Sequence, residues 1–334
     1  MVNLILDPFC HCPHLKYLIV DNLYLTYIIE DNYTNSFYSN EEIKNIFKID
    51  VLFEKNVINN QDKFDNIFIV IPILSLDKKH QSNYLHVISI YTNLLNNYKN
   101  KTHGKIVVFD VHDYDYFPHK CLENAGIICD YIFRRTYSKK YSKTYGENVY
   151  PYPFIMSTVN DPMYRLLNDN KLINNNKINK ILWSGALYDG SDIYDEIKEE
   201  PIRKTLFENI YTKYNRIIDK KVVSNNSFLE TLSCYKYILD MRGVGRLNKR
   251  FFEILTTNSL LMCQKMDIVW PFNEGDNFSD ECFYENEDEL YNNYLKLEND
   301  NELYNKCLKN QLYIANKYFN NNFLWNYIKN IINN

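Results

Sequence analysis

The densest concentration of residues suited to holding a charged ligand lies at positions 237–255. An apolar run ends at Met241, and Arg242, Gly243, Val244, Gly245, Arg246 and Leu247 follow it. Then come Asn248, Lys249, Arg250, Phe251, Phe252, Glu253, Ile254 and Leu255. The pattern reads as a buried strand, a loop with two glycines, and a helix that starts at Asn248. Asparagine favours that cap position because its side chain accepts from a free N–H of the first turn. Arg242, Arg246, Lys249 and Arg250 place four cations around a helix start that already offers unpaired N–H groups, so the stretch is an anion cradle. Arg250, in the first turn, has the planar fork that grips a diphosphate through two parallel bonds, which a lysine lacks. Glu253, three residues on, projects from nearly the same face. A carboxylate beside a phosphate site needs hydroxyls to accept from, and the ribose of a nucleotide supplies them.

Two common phosphate loops are excluded. The spacing and the Lys-Ser/Thr ending of a Walker A loop are missing, and Gly243-Val244-Gly245 lacks the third glycine of a dinucleotide fingerprint. The bland alternative is a turn with a solvated basic face. Against it stands the glycine usage: with only 8 glycines in 334 residues, a pair in one loop answers a backbone need.

These residues require a frame. Apolar, β-branched runs at 67–71, 105–109 and 131–133 alternate with stretches of helical spacing such as 84–98, which means a parallel sheet covered on both faces. The polar run 168–180, with Asn174, Asn175 and Asn176, has the composition of a linker. Beyond it the pattern restarts: strand 181–183, a loop with Gly185 and Gly190, helix 201–211, a helix from Ser227, strand 237–241, helix 249–256, and strands 260–263 and 282–284. Residues 1–165 are therefore expected to form an N-terminal acceptor-side Rossmann-like domain and 166–179 a linker. Residues 180–315 are expected to form the donor-binding domain and 316–334 a C-terminal helix. Two doubly wound α/β domains facing a central cleft, closed by C-terminal helices, make ligands expected at the carboxyl ends of the strands.

Composition bounds the rest. A chain that is 46% hydrophobic and 24% charged is built for a packed core, and its formal charge of -4 predicts no nucleic-acid partner, since phosphate neutralisation calls for a basic surface. No uncharged apolar stretch approaches the roughly 18 residues of a bilayer span, so a soluble, cytoplasmic protein is expected. The eight cysteines are scattered and read as buried free thiols. Cys10-His11-Cys12-Pro13-His14 lacks the downstream ligand pair of a zinc site. Arg134-Arg135-Thr136-Tyr137-Ser138-Lys139-Lys140 reads as a basic loop after strand 131–133.

The order strand, Arg242 to Arg246 loop, Asn248 to Glu253 helix, apolar strand at 260–263 resembles the donor half of exostosin-like GT-B glycosyltransferases. It also resembles that of the related capsule-associated and protein O-glucosyltransferase or O-xylosyltransferase families. The resemblance implies that Arg250 binds the donor diphosphate and Glu253 the ribose. Leu182-Trp183-Ser184-Gly185-Ala186-Leu187 looks like the first strand and loop of the donor domain, and Arg203 like the arginine on the next helix that reaches the diphosphate. Asp113, in the segment 107–118, matches the position of the catalytic base; Asp110, His112 and Asp115 cluster with it, only one of the four can serve, and His112 is the next candidate. Where those families carry a glycine before the strand that follows the helix, this chain has Thr257-Asn258-Ser259.

Sugar transfer from a nucleoside diphosphate needs the growing charge on the leaving diphosphate stabilised and, for inversion, a base for the acceptor hydroxyl. The cationic loop supplies the first without an Asp-x-Asp pair, so no metal and no other cofactor is expected. The donor is expected to be a UDP-sugar and the acceptor a hydroxyl of a glycan, glycoprotein or glycolipid. The alternatives are a nucleotide-sugar epimerase, disfavoured because no histidine follows His119, and a non-catalytic GT-B-shaped binding or structural protein.

Overall fold

The computed structural model describes residues 3–6, 66–71, 89, 92, 104–110, 119–124, 126–153, 171–185, 187, 203–224, 227–242 and 247–334. The chain forms two compact units. One comprises Met1–Val159, Ile268–Pro271 and Leu324–Asn334, and the other Asn160–Asp267 and Phe272–Phe323.

The first unit is built on five parallel strands, β1 (Asn3–Leu6), β2 (Asn66–Ile71), β3 (Lys105–Asp110), β4 (Tyr131–Arg134) and β5 (Val149–Pro151), with helix α1 (His119–Asn124) between β3 and β4. They pair in chain order, β1-β2-β3-β4-β5. Ile67, Phe68, Ile69 and Val70 of β2, and Val107, Val108 and Phe109 of β3, are buried without alternation, as befits strands covered on both faces. Phe109 stacks on Phe133 at 5.4 Å and meets Tyr152 edge-on at the same separation. The last part of the chain returns to this unit: Trp325 meets Phe68 at 6.4 Å, and the Tyr327 hydroxyl donates to the Pro151 carbonyl.

The basic segment after β4 is not a solvated loop. Arg134 ends the strand itself, and Arg134, Arg135, Thr136 and Ser138 are buried. Arg134 Nη1 lies 2.6 Å from Asp110 Oδ2, both side chains having no exposed surface. The carboxylate at the end of the neighbouring strand makes burial of the guanidinium tolerable, which a reading of charge along the chain does not reveal.

The second unit starts again with β6 (Ile178–Trp183), α2 (Arg203–Tyr214), β7 (Ile218–Lys220), α3 (Phe228–Ser233), β8 (Tyr235–Asp240), α4 (Lys249–Leu255), β9 (Leu260–Gln264) and β10 (Phe283–Tyr284). Two longer helices follow, α5 (Glu287–Asn299) and α6 (Asn301–Tyr318), and α7 (Asn321–Asn333) ends the chain. All strands pair in parallel in the order β10-β9-β8-β6-β7. Every residue of β9 is buried, and Asn286 and Asp300 cap α5 and α6 by accepting from first-turn N–H groups. Gln311 of α6 ties the helix to the sheet, accepting from Leu261 N–H and donating to the Ser259 carbonyl, each at 2.9 Å.

Both units are α/β with parallel sheets, as the alternating apolar runs predict. Strands Asn3–Leu6, Val149–Pro151 and Ile218–Lys220 are additions to that reading. Among the described residues no helix is long and apolar enough to cross a membrane. Cys129, Cys263, Cys282 and Cys307 are buried free thiols, and Cys234 is half-buried.

Candidate functional site

In the second sheet the chain runs outward from β6 to β7 on one side and from β8 through β9 to β10 on the other. The strand order therefore reverses between β6 and β8, and the carboxyl ends of these strands flank the position where open α/β sheets take their ligands. Trp183 ends β6 and Asp240 ends β8.

After β6 the backbone turns at Gly185, where a Cβ would lie 2.8 Å from Cζ2 and 3.0 Å from Cη2 of Trp183. The indole is rigid and 2% exposed, so the close approach demands glycine. Arg203, the first residue of α2, has its guanidinium 6.0 Å from the Trp183 ring centre. It also binds the end of β8, Nε donating to the Arg242 carbonyl at 2.6 Å and Nη2 to the Met241 carbonyl at 3.0 Å. A positive charge is thereby fixed beside the strand end, and the carbonyls left over where β8 stops are satisfied.

Arg242 is anchored from the other side. Its N–H donates to Gln264 Oε1, while its Nε and Nη2 donate to the Lys265 carbonyl beyond β9 at 3.1 and 2.8 Å. Asn248 caps α4: its Oδ1 accepts from Phe251 N–H at 3.3 Å, and its Nδ2 donates to Asp240 Oδ1 at 2.9 Å and to the Met241 carbonyl at 2.7 Å. One amide thus joins the helix start to the strand end on both sides of the loop.

Arg250 lies on the first turn of α4. Its Nε donates to Glu253 Oε2 at 3.2 Å, its guanidinium sits 4.4 Å from the centre of the Phe228 ring, and its Nη1 is buried without a hydrogen-bond partner. Lys249 Nζ is 3.8 Å from Glu253 Oε1. Glu253 therefore stands between two cations, with 12% of its side chain exposed.

Beneath this group lies Asp240. Burial pushes its carboxyl from an ordinary 3.8 up to about 6, against the opposing pull of the Asn248 hydrogen bond, the Arg250 and Arg203 charges and the Cys263 thiol. Cys263 Sγ is 3.5 Å from Asp240 Oδ2, and the Tyr284 hydroxyl donates to the Asp240 carbonyl at 3.1 Å. Burial raises the Cys263 thiol well above its usual range as well, so it is a neutral donor here and no nucleophile.

Of the residues singled out by sequence, the structure brings Arg203, Arg242, Asn248, Arg250, Lys249 and Glu253 to the carboxyl end of β8, with Gly185 at the end of neighbouring β6. Gly243, Gly245 and Arg246 lie outside the described residues, as do His112 and Asp113. Sequence reasoning missed Asp240, Phe228, Gln264 and the Lys265 carbonyl. Only Asp240 carries a signal along the chain, an acid closing the apolar run 237–239. Among the described residues no three His, Cys, Asp or Glu side chains gather as a metal site.

No family model and no curated protein matches the chain. Solved structures do. An alpha-glucosyltransferase in complex with UDP-glucose and DNA containing an abasic site matches 100% of this chain and 99% of its own, at a TM-score of 0.53 and 13% identity. T4 phage BGT with UDP-glucose matches over 100% of both chains, at a TM-score of 0.50 and 12% identity. Anabaena HepE with UDP-glucose covers 100% and 99%, at 0.54 and 10%. The expectation of no nucleic-acid partner is overturned by the first of these, in which a protein of the same fold is held with DNA. Net charge sums a whole surface whereas phosphate is met by a local patch, so a total of -4 excludes nothing. At such identities the likeness is one of fold, and the fold of this chain is GT-B.

Proposed function

We propose that this protein is a glycosyltransferase of the exostosin-like or capsule-associated kind. It moves a sugar from a UDP-sugar to a hydroxyl of a glycan or protein, with the donor held by the second unit. The single observation that carries this reading is the meeting of Arg203, Arg242, Asn248, Arg250 and Glu253 at the strand-order reversal between β6 and β8. The neighbours solved with UDP-glucose support the donor class.

The chemistry follows from charge. As the bond from the anomeric carbon to the diphosphate oxygen breaks, negative charge grows on the leaving group, and groups fixed in advance around it lower the barrier without reorganising. Arg250 directs Nη1, a buried donor lacking a partner, at the phosphate, while Arg203 and Lys249 add positive potential. Glu253 turns from its cations to the ribose hydroxyls. With α4 only seven residues long, side-chain charge outweighs the helix dipole in this task. Asp113, with His112 as its alternative, takes the acceptor proton. Side chains substitute for a metal in this scheme; one neighbour, T4 phage BGT, is solved with UDP and Mn2+, so transfer is to be measured with a chelator and with added Mn2+, and equal rates are expected.

Titration calorimetry with UDP, GDP and dTDP, joined to an assay of UDP release from UDP-sugars over glycan, peptide and DNA acceptors, tests the reading. UDP binding with acceptor-dependent release is expected, and Arg250→Ala is expected to lower transfer by about 10²-fold or more. Binding without turnover would make the protein a nucleotide-sugar binder. Absence of binding, or full activity in Arg250→Ala, would end the proposal.

A further inference from the structure

Two contacts hold the guanidinium of Arg250. Its central carbon sits over the ring of Phe228, 4.4 Å from the ring centre, and Nε donates to Glu253 Oε2. What remains is the Nη edge, where Nη1 is buried and has no partner. A buried cation on an aromatic face is attracted by the ring quadrupole, more strongly as water is excluded. The side chain of Arg250 is 17% exposed, so the contact works in that regime.

Phe228 opens α3, whose far end is pinned to the sheet: Ser259 Oγ lies 2.9 and 2.7 Å from the Leu232 and Tyr235 carbonyls and shares its one proton between them, and Lys177 Nζ donates to the Ser233 carbonyl at 2.6 Å. Leu232 is fully buried. Glu253 restrains the arginine from within its own helix, and Phe228 restrains it from a different one.

We propose that Phe228 is a positioning residue for donor recognition: its ring holds the Arg250 guanidinium so that the Nη edge faces the diphosphate before any nucleotide arrives. The proposal rests on the reading of Arg250 as the diphosphate ligand. Pre-organisation of this kind raises affinity by removing the cost of ordering a long side chain on binding.

The test is a double-mutant cycle on the full chain, read by calorimetry with UDP and with uridine, which lacks phosphates. Phe228→Leu is expected to weaken UDP about tenfold and to leave uridine unchanged, while Phe228→Tyr restores UDP affinity to within about twofold. Adding Phe228→Leu to Arg250→Ala is expected to cost nothing further, because the ring acts through the arginine. Should Phe228→Leu fold poorly, Phe228→Met removes the aromatic face at similar volume and is read the same way. The proposal is overturned if Phe228→Leu leaves UDP binding intact, if its effect is equal in the Arg250→Ala background, if uridine weakens in parallel, or if Phe228→Tyr fails to rescue. Should Arg250→Ala itself bind UDP normally, the donor-site reading falls first and the role of Phe228 with it.

Discussion

Arginines stand beside the carboxyl end of a strand in both parallel sheets, in different settings. In the first unit Arg134 ends β4 in an ion pair with Asp110 of β3, both without exposed surface. In the second unit cations outnumber carboxylates around the end of β8, and Arg250 keeps a buried Nη1 without a partner. The strand orders differ as well. The described strands of the first sheet pair in the order in which they occur, whereas the second reverses between β6 and β8. A strand-order reversal leaves room at the carboxyl ends of the strands, and the proposed donor site lies there. Burial and charge alone do not separate the two arginines; their place relative to the strand-order reversal does.

The comparison breaks most visibly at Arg134. Removing one partner of a buried pair leaves the other charge uncompensated, so Arg134→Ala is expected to cost about 3–5 kcal/mol of stability, read by denaturant unfolding. Arg250→Ala, which leaves Glu253 with Lys249 Nζ at 3.8 Å, is expected to cost less stability than Arg134→Ala while abolishing most transfer. Equal losses of stability in the two variants would erase the distinction drawn between the sheets.

A smaller effect sharpens the picture of the second sheet. The Asp240 carboxyl is raised by burial from 3.8 to about 6, so the folded chain holds this proton more tightly than the unfolded one. Its contribution to stability is therefore complete below the unfolded value and is lost as pH rises through about 6. Asp240→Asn keeps the shape and an acceptor for Asn248 while removing the titration. The stability of the variant relative to the parent is expected to increase between about pH 4 and about pH 7, by on the order of 2–3 kcal/mol. Thermal or denaturant melts at several pH values check this, and a difference that stays flat with pH would show that Asp240 is not desolvated as described.

Much of the frame was legible before any coordinates. β2, β3, β4, β6, β8 and β9 coincide with apolar runs, and Asn248 reads as a cap and is one. Less visible were Ile218–Lys220, where Asp219 and Lys220 interrupt the apolar signal, and Val149–Pro151, where a proline counts against a strand. Arg134 and Arg135 read as part of a basic loop because a charge declares itself in sequence while its partner, 24 residues upstream in the case of Asp110, does not. The same limit hid Phe228 behind Arg250, and the Lys265 carbonyl, a backbone atom carried by every residue, behind Arg242. Local pattern gives the elements and their caps; contacts between strands and helices far apart in the chain assemble the site.

Crystals of the protein soaked with UDP are expected to show the diphosphate at the carboxyl ends of β6 and β8, with a phosphate oxygen within hydrogen-bonding distance of Arg250 Nη1 and the ribose at Glu253. Density for the nucleotide elsewhere, with Arg250 still closed on Glu253 and Phe228 and touching no phosphate, would contradict it.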